Sequence, residues 1–202
     1  APNVNLSKVS LTKDKRTVSL QKSDGRFGKV RINLNWNQRK QGGFLGFGKT
    51  GIDLDLGAFV EMADGQRGVI QALGNSFGDF HRAPFIKLLG DDRTGAVSDG
   101  EWLEVNGDNW SSLRRVLVFA FIYEGVANWQ ETDGVIRVLV PDQPEVEVRM
   151  NEYGSRYGMC AVAELRNNSG QIEVERKVDF FPSHKEMDEA GGWGFRWKAG
   201  RK

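Results

Sequence analysis

The chain has 202 residues, 39% of them hydrophobic, with 25 glycines, 5 prolines, one cysteine and a formal net charge of +1. That balance excludes disordered and fibrous classes, and a lone Cys160 excludes an internal disulfide framework and fits a reducing compartment such as the cytoplasm. No run approaches eighteen apolar residues and no signal-like segment opens the sequence, so neither a membrane span nor export is expected.

The length suits a single domain over 1–202. The first quarter is basic: residues 1–50 carry eleven Lys or Arg against Asp14 and Asp24. Clustered cations can bind phosphate backbones, but here they alternate with Val18, Leu20, Val30, Ile32 and Leu34, as on the wet face of one-sided strands. Nucleic acid is therefore not the expected partner. Gly43 to Thr50 satisfies the pattern GxxxxGK[ST], yet it runs into strand-like Gly51-Ile52-Asp53-Leu54-Asp55 rather than opening a helix, so no nucleotide site is expected. Phe44, Leu45 and Phe47 of that loop are candidates for contact with a partner.

Alternating and apolar runs predict strands at Thr17–Lys22, Lys29–Trp36, Ile52–Met62, Gly68–Leu73, Trp102–Asn106, Arg114–Tyr123, Gly134–Val140, Glu145–Met150, Met159–Arg166, Gln171–Phe180 and Gly194–Lys198. Arg114–Tyr123 is apolar on both faces and reads as central. Asn167-Asn168-Ser169-Gly170 predicts a hairpin. Helix is predicted only at Tyr123–Glu131 and at Ser183-His184-Lys185-Glu186, a capping-box spacing that Gly191 stops. His184 there reads as a surface residue, and Cys160, among Met159 and Ala161-Val162-Ala163, as a buried, inert thiol. The fold class that follows is all-β: a β-sandwich of two mainly antiparallel sheets with one or two short helices.

The chemistry concentrates in two acidic stretches. In Asp53-Leu54-Asp55 strand alternation puts both carboxylates on one face, about 6.5 Å apart along the strand, with Ile52, Leu54, Leu56 and Phe59 assigned to the other. Between Gly90 and Glu101, Asp91, Asp92, Asp99 and Glu101 gather four carboxylates around Arg93, with Gly90, Gly95 and Gly100 supplying backbone freedom. A set without Cys or His is an oxygen site, and an irregular acidic loop suits calcium better than octahedral magnesium. A solvated acidic turn and a charged edge strand are the alternatives. The two histidines lie in no nucleophile motif, and no catalytic activity is expected.

Asp53-Leu54-Asp55-x-x-Ala58-Phe59, Gly90-Asp91-Asp92-Arg93-Thr94-Gly95 and Asp99-Gly100-Glu101 together resemble the TerD family of tellurium-resistance proteins. Ser10-Leu11-Thr12-Lys13, Ile32-Asn33-Leu34-Asn35-Trp36 and Val116–Tyr123 extend the similarity over nearly the whole chain. The resemblance implies a calcium-binding β-sandwich linked to tellurite resistance and stress response without known catalysis. It implies Asp53, Asp55, Asp91, Asp99 and Glu101 as calcium ligands, with Asp92 where the family usually has Asn, and other tellurium-resistance or stress proteins as partners. Ala96-Val97 shorten the family's acidic run, leaving one or two ions open, and the aromatic-Asn-Asn segment is not recognisable in Val69–Asn75; this is a divergent branch. The competing class is an interaction module that uses the basic strands and the Phe-rich loop without a metal.

Overall fold

A computed structural model describes residues 7–36, 52–90, 100–124, 127–150 and 156–198. In chain order the strands are Val9–Leu11 (β1), Thr17–Leu20 (β2), Lys29–Asn35 (β3), Asp53–Met62 (β4), Arg67–Ile70 (β5), Gly78–Asp79 (β6) and Ile86–Leu88 (β7). Glu101–Asn106 (β8), Leu113–Glu124 (β9), Val135–Leu139 (β10), Val146–Arg149 (β11), Met159–Asn168 (β12) and Gln171–Phe181 (β13) complete them. Two short α-helices, Trp129–Thr132 (α1) and His184–Gly191 (α2), and 3-10 turns at Leu73–Asn75 and Gly107–Ser112 make up the helix.

The strands form a seven-stranded sheet, β1-β11-β10-β3-β8-β7-β6, and a six-stranded sheet, β2-β13-β12-β9-β4-β5. Every pairing is antiparallel except β1 with β11. The two-sheet sandwich expected from the sequence is therefore observed. Its core lies between the sheets, where Val30, Ile32 and Leu34 of β3 meet Leu54, Leu56, Ala58 and Val60 of β4 and Val116, Val118 and Ala120 of β9. β-branched and aliphatic side chains at alternate positions fill a space about 10 Å deep, which is why these segments hold strand geometry. β9 sits between β4 and β12, as its two apolar faces require. Cys160 is fully buried, as expected.

A second apolar cluster covers the outer face of the six-stranded sheet. It comprises Phe59, Leu117, Phe119, Phe121, Met159 and Ala161 from the strands and Met187 and Trp193 from the C-terminal end. Phe59 therefore shares a face with Asp55, not with Leu54; the assignment of Phe59 opposite the acids is corrected by strand parity.

Three further expectations are corrected. Gly194–Lys198 forms no strand: Trp193, Phe195 and Trp197 point inward and Gly194 and Arg196 outward, so the alternation exists without pairing. Tyr123 belongs to β9, which runs to Glu124, and helix among the described residues of that region is confined to Trp129–Thr132. β1, β6 and β7 are too short to leave a periodic signal and were not anticipated. The hairpin at 167–170 is observed, with Ser169 and Gly170 at φ 52° and 87° between β12 and β13. No helix among the described residues is long and apolar enough to cross a membrane.

Candidate metal centre

Three of the six candidate ligands, Asp91, Asp92 and Asp99, lie outside the described residues, as does the GxxxxGK[ST] loop. The other three come from two sheets. Asp53 and Asp55 open β4 in the six-stranded sheet, where Asp53 faces Glu124 and Asp55 faces Phe121 across the β4–β9 ladder. Asp53 is exposed, whereas Asp55 is only 2% exposed. Glu101 opens β8 in the seven-stranded sheet, opposite Leu34.

The sheets meet at this end through Glu101. β5 pairs with β4 only from Ala58 onward, so the Leu56 amide lies beyond the last β5 partner, and it donates to Glu101 Oε2 at 2.5 Å. One acid from the opposite sheet is thereby fixed beside the strand that carries the other two. The backbone that delivers it permits no side chain before it: Gly100 has φ 79°, and the Leu34 carbonyl occupies the space a Cβ would need. Asn33 Nδ2 holds the Glu101 carbonyl at 3.2 Å from the neighbouring strand. The Trp36 indole donates to the Ile52 carbonyl at 3.1 Å, tying the end of β3 to the start of β4. Leu89 N bonds Trp102 O at 2.9 Å, so the residues on either side of 91–99 are held together next to Glu101.

All the donors at this corner are oxygens, which suits a hard cation. Among the described residues no group of three or more His, Cys, Asp or Glu is arranged to hold a metal. The corner brings Glu101 of one sheet to β4 of the other, and Gly90 and Gly100, which flank 91–99 in sequence, adjoin it.

The chain has a wider resemblance that decides its family. It is 53% identical, over 203 residues and 98% of its length, to a tellurium resistance protein TerA from Alcaligenes sp.. The chain belongs to the tellurium-resistance family. It spans 60% of the length of that curated relative. No family model matches the sequence. Two crystal structures share the fold of this tellurium-resistance chain. One is a protein of unknown function, with TM-score 0.59, 18% identity, and coverage of 85% of this chain and 99% of the other. The second is a homologue of the telluride resistance protein TerD from Streptomyces coelicolor A3(2), with TM-score 0.54, 21% identity, and coverage of 80% and 95%.

Sequence reasoning missed the environment of His184. Far from being a surface residue, it packs edge-on against Phe119 and Phe121, with ring centroids 5.5 and 5.3 Å away, and lies 5.1 Å from Trp197. Its Nε2 hydrogen-bonds Gln71 Oε1 at 2.7 Å. Burial lowers its pKa from 6.5 to about 4. The signal was available in the Trp193-x-Phe195-x-Trp197 alternation, which had been assigned to a strand.

Proposed function

We propose that this chain is a non-enzymatic calcium-binding domain of the tellurium-resistance and stress-response type, acting in the cytoplasm alongside other proteins of that system. The observation that carries the reading is the crossing of Glu101 from one sheet to the Leu56 amide of the other, which puts acids from both sheets at one corner. In this reading Asp53, Asp55 and Glu101 supply the fixed part of the site. Asp91, Asp92 and Asp99, from the segment between Gly90 and Gly100, complete it. Carboxylates from separated segments repel one another without a cation, so calcium couples to folding. The ion pairs of Lys8 with Glu147 at 2.5 Å and Lys29 with Glu104 at 3.1 Å favour a structural role for the basic strands over a nucleic-acid module.

The test is thermal unfolding with calcium, with magnesium and with a chelator. Calcium at about a hundredfold above its Kd is expected to add about 2.7 kcal/mol and raise Tm clearly, and magnesium much less. Asp91→Asn and Asp53→Asn are expected to abolish most of the rise. Identical melting of the wild type in calcium and in chelator would overturn the reading.

A further inference from the structure

The C-terminal end is built as a strap. Ser183 caps α2, its hydroxyl donating to Glu186 and its oxygen accepting from Lys185 N at 3.2 Å. The helix stops at Gly192, whose φ is 64°, and the chain turns back along the outer face of the six-stranded sheet. One side chain holds the returning segment: buried Asp188 accepts from Gly194 N at 2.7 Å, Phe195 N at 2.9 Å and the Trp197 indole at 2.8 Å. Phe59 of β4 lies beneath, with its ring 5.5, 5.0 and 5.7 Å from Trp193, Phe195 and Trp197.

His184 is the one imidazole in this contact. It sits between the sheet and the strap, touching Phe119 and Phe121 below and Trp197 above, with Gln71 as its polar partner. The charged groups on the elements packed around it are committed elsewhere. Glu61 of β4 pairs with Arg67 at 2.6 Å and with Arg115 of β9 at 3.4 Å. Arg67 Nη1 also donates to Trp193 O at 2.6 Å, and Arg115 lies 3.8 Å over the Trp193 ring. Asp188 is taken by the tail, and Lys185 pairs with Glu189 at 3.8 Å. Asp55 shares the face as the cross-strand neighbour of Phe121, and the cations among the tail's described residues are Arg196 and Lys198.

We infer that residues 193–198 form an acid-released strap, which lifts from α2 and from the six-stranded sheet at the Gly191-Gly192 hinge when His184 takes up a proton, uncovering Phe59. The direction follows from the cage: three aromatic rings and the single Gln71 oxygen solvate a charged imidazolium less well than water does, and lifting the strap opens the ring further to water. Burial holds the pKa near 4, against 6.5 in the ordinary imidazole. The strap is therefore fully seated above about pH 6.5, and its opening constant grows about twentyfold between pH 7 and pH 5.

Hydrogen exchange of the whole chain at pH 7 and pH 5, corrected for intrinsic rates, tests this. Protection of the Trp193, Gly194 and Phe195 amides is expected to fall about twentyfold while β9 and β12 amides keep theirs. His184→Phe, which preserves an aromatic in the cage, is expected to hold the strap's protection constant over the same range. Unchanged protection in the wild type, a uniform loss in strap and sheet alike, or the same loss in His184→Phe would each overturn the proposal. Should His184→Phe fold poorly, His184→Gln with the same readout replaces it, and a wild-type fall that persists there overturns it equally.

Discussion

Gly57 shows how little room the outer face of β4 leaves. A Cβ there would lie 2.5 Å from the Phe119 ring and 2.9 Å from the Ile70 carbonyl, and only the ring could move. Gly57→Ala is expected to lower stability by about 1–3 kcal/mol, as overpacking does, measured by urea unfolding. Ser169 offers the opposite case. Its φ of 52° next to Gly170 at 87° is the geometry that Asn-Gly turns favour. Ser169→Asn is expected to raise stability by about 0.5–1 kcal/mol, and a lower Tm in that variant would contradict the turn assignment. At this scale the sequence spoke clearly wherever local backbone chemistry decided the outcome. The hairpin turn was legible in Asn167–Gly170, and the need for glycine next to Glu101 was legible in the acidic stretch. The bond from Glu101 to the Leu56 amide was not, because it joins two sheets whose relative placement no local pattern encodes.

Among elements, α2 with its returning tail is the one whose type the sequence half revealed. The capping box was correctly placed, whereas the stop falls one residue later than expected, at Gly192 rather than Gly191. The aromatic alternation after them was misassigned because inward-outward periodicity reports burial, and hydrogen-bond pairing does not follow from burial. Asp188→Ala is expected to leave two amides and one indole without their acceptor, at roughly 1–3 kcal/mol each. The emission of Trp193 and Trp197 should shift red while the β-sheet circular dichroism persists. The ladder beneath carries its own acid sensitivity. Burial alone would raise the Glu61 pKa, but the hydrogen bond from Arg67 and the charges of Arg115, Arg67 and Arg114 outweigh it, and the net shift is downward. The pair's contribution is therefore present above pH 4.5 and lost as pH falls through the lower folded value. Glu61→Gln is expected to destabilise the protein at pH 7 and to flatten the pH dependence of Tm below pH 4.5.

For the molecule as a whole, the two-sheet architecture was legible because strand periodicity and turn chemistry agree along most of the chain, and the central place of β9 followed from its two apolar faces. Sheet order was not legible, since pairing between segments far apart in sequence leaves no local trace. That order has one unusual feature. β1 and β2 stand at the same edge of the sandwich, one in each sheet, and their partners β11 and β13 lie in the last third of the chain. Residues 9–20 therefore have no strand partner until Val146–Arg149 and Gln171–Phe181 are available, and refolding from denaturant must close those long loops before either pairing forms. Leu20→Ala is expected to speed unfolding and leave the refolding rate nearly unchanged in a chevron measurement. The β1–β2 segment, one strand in each sheet, is the last stitch in the sandwich, and until it is made β11 and β13 stand as open edges.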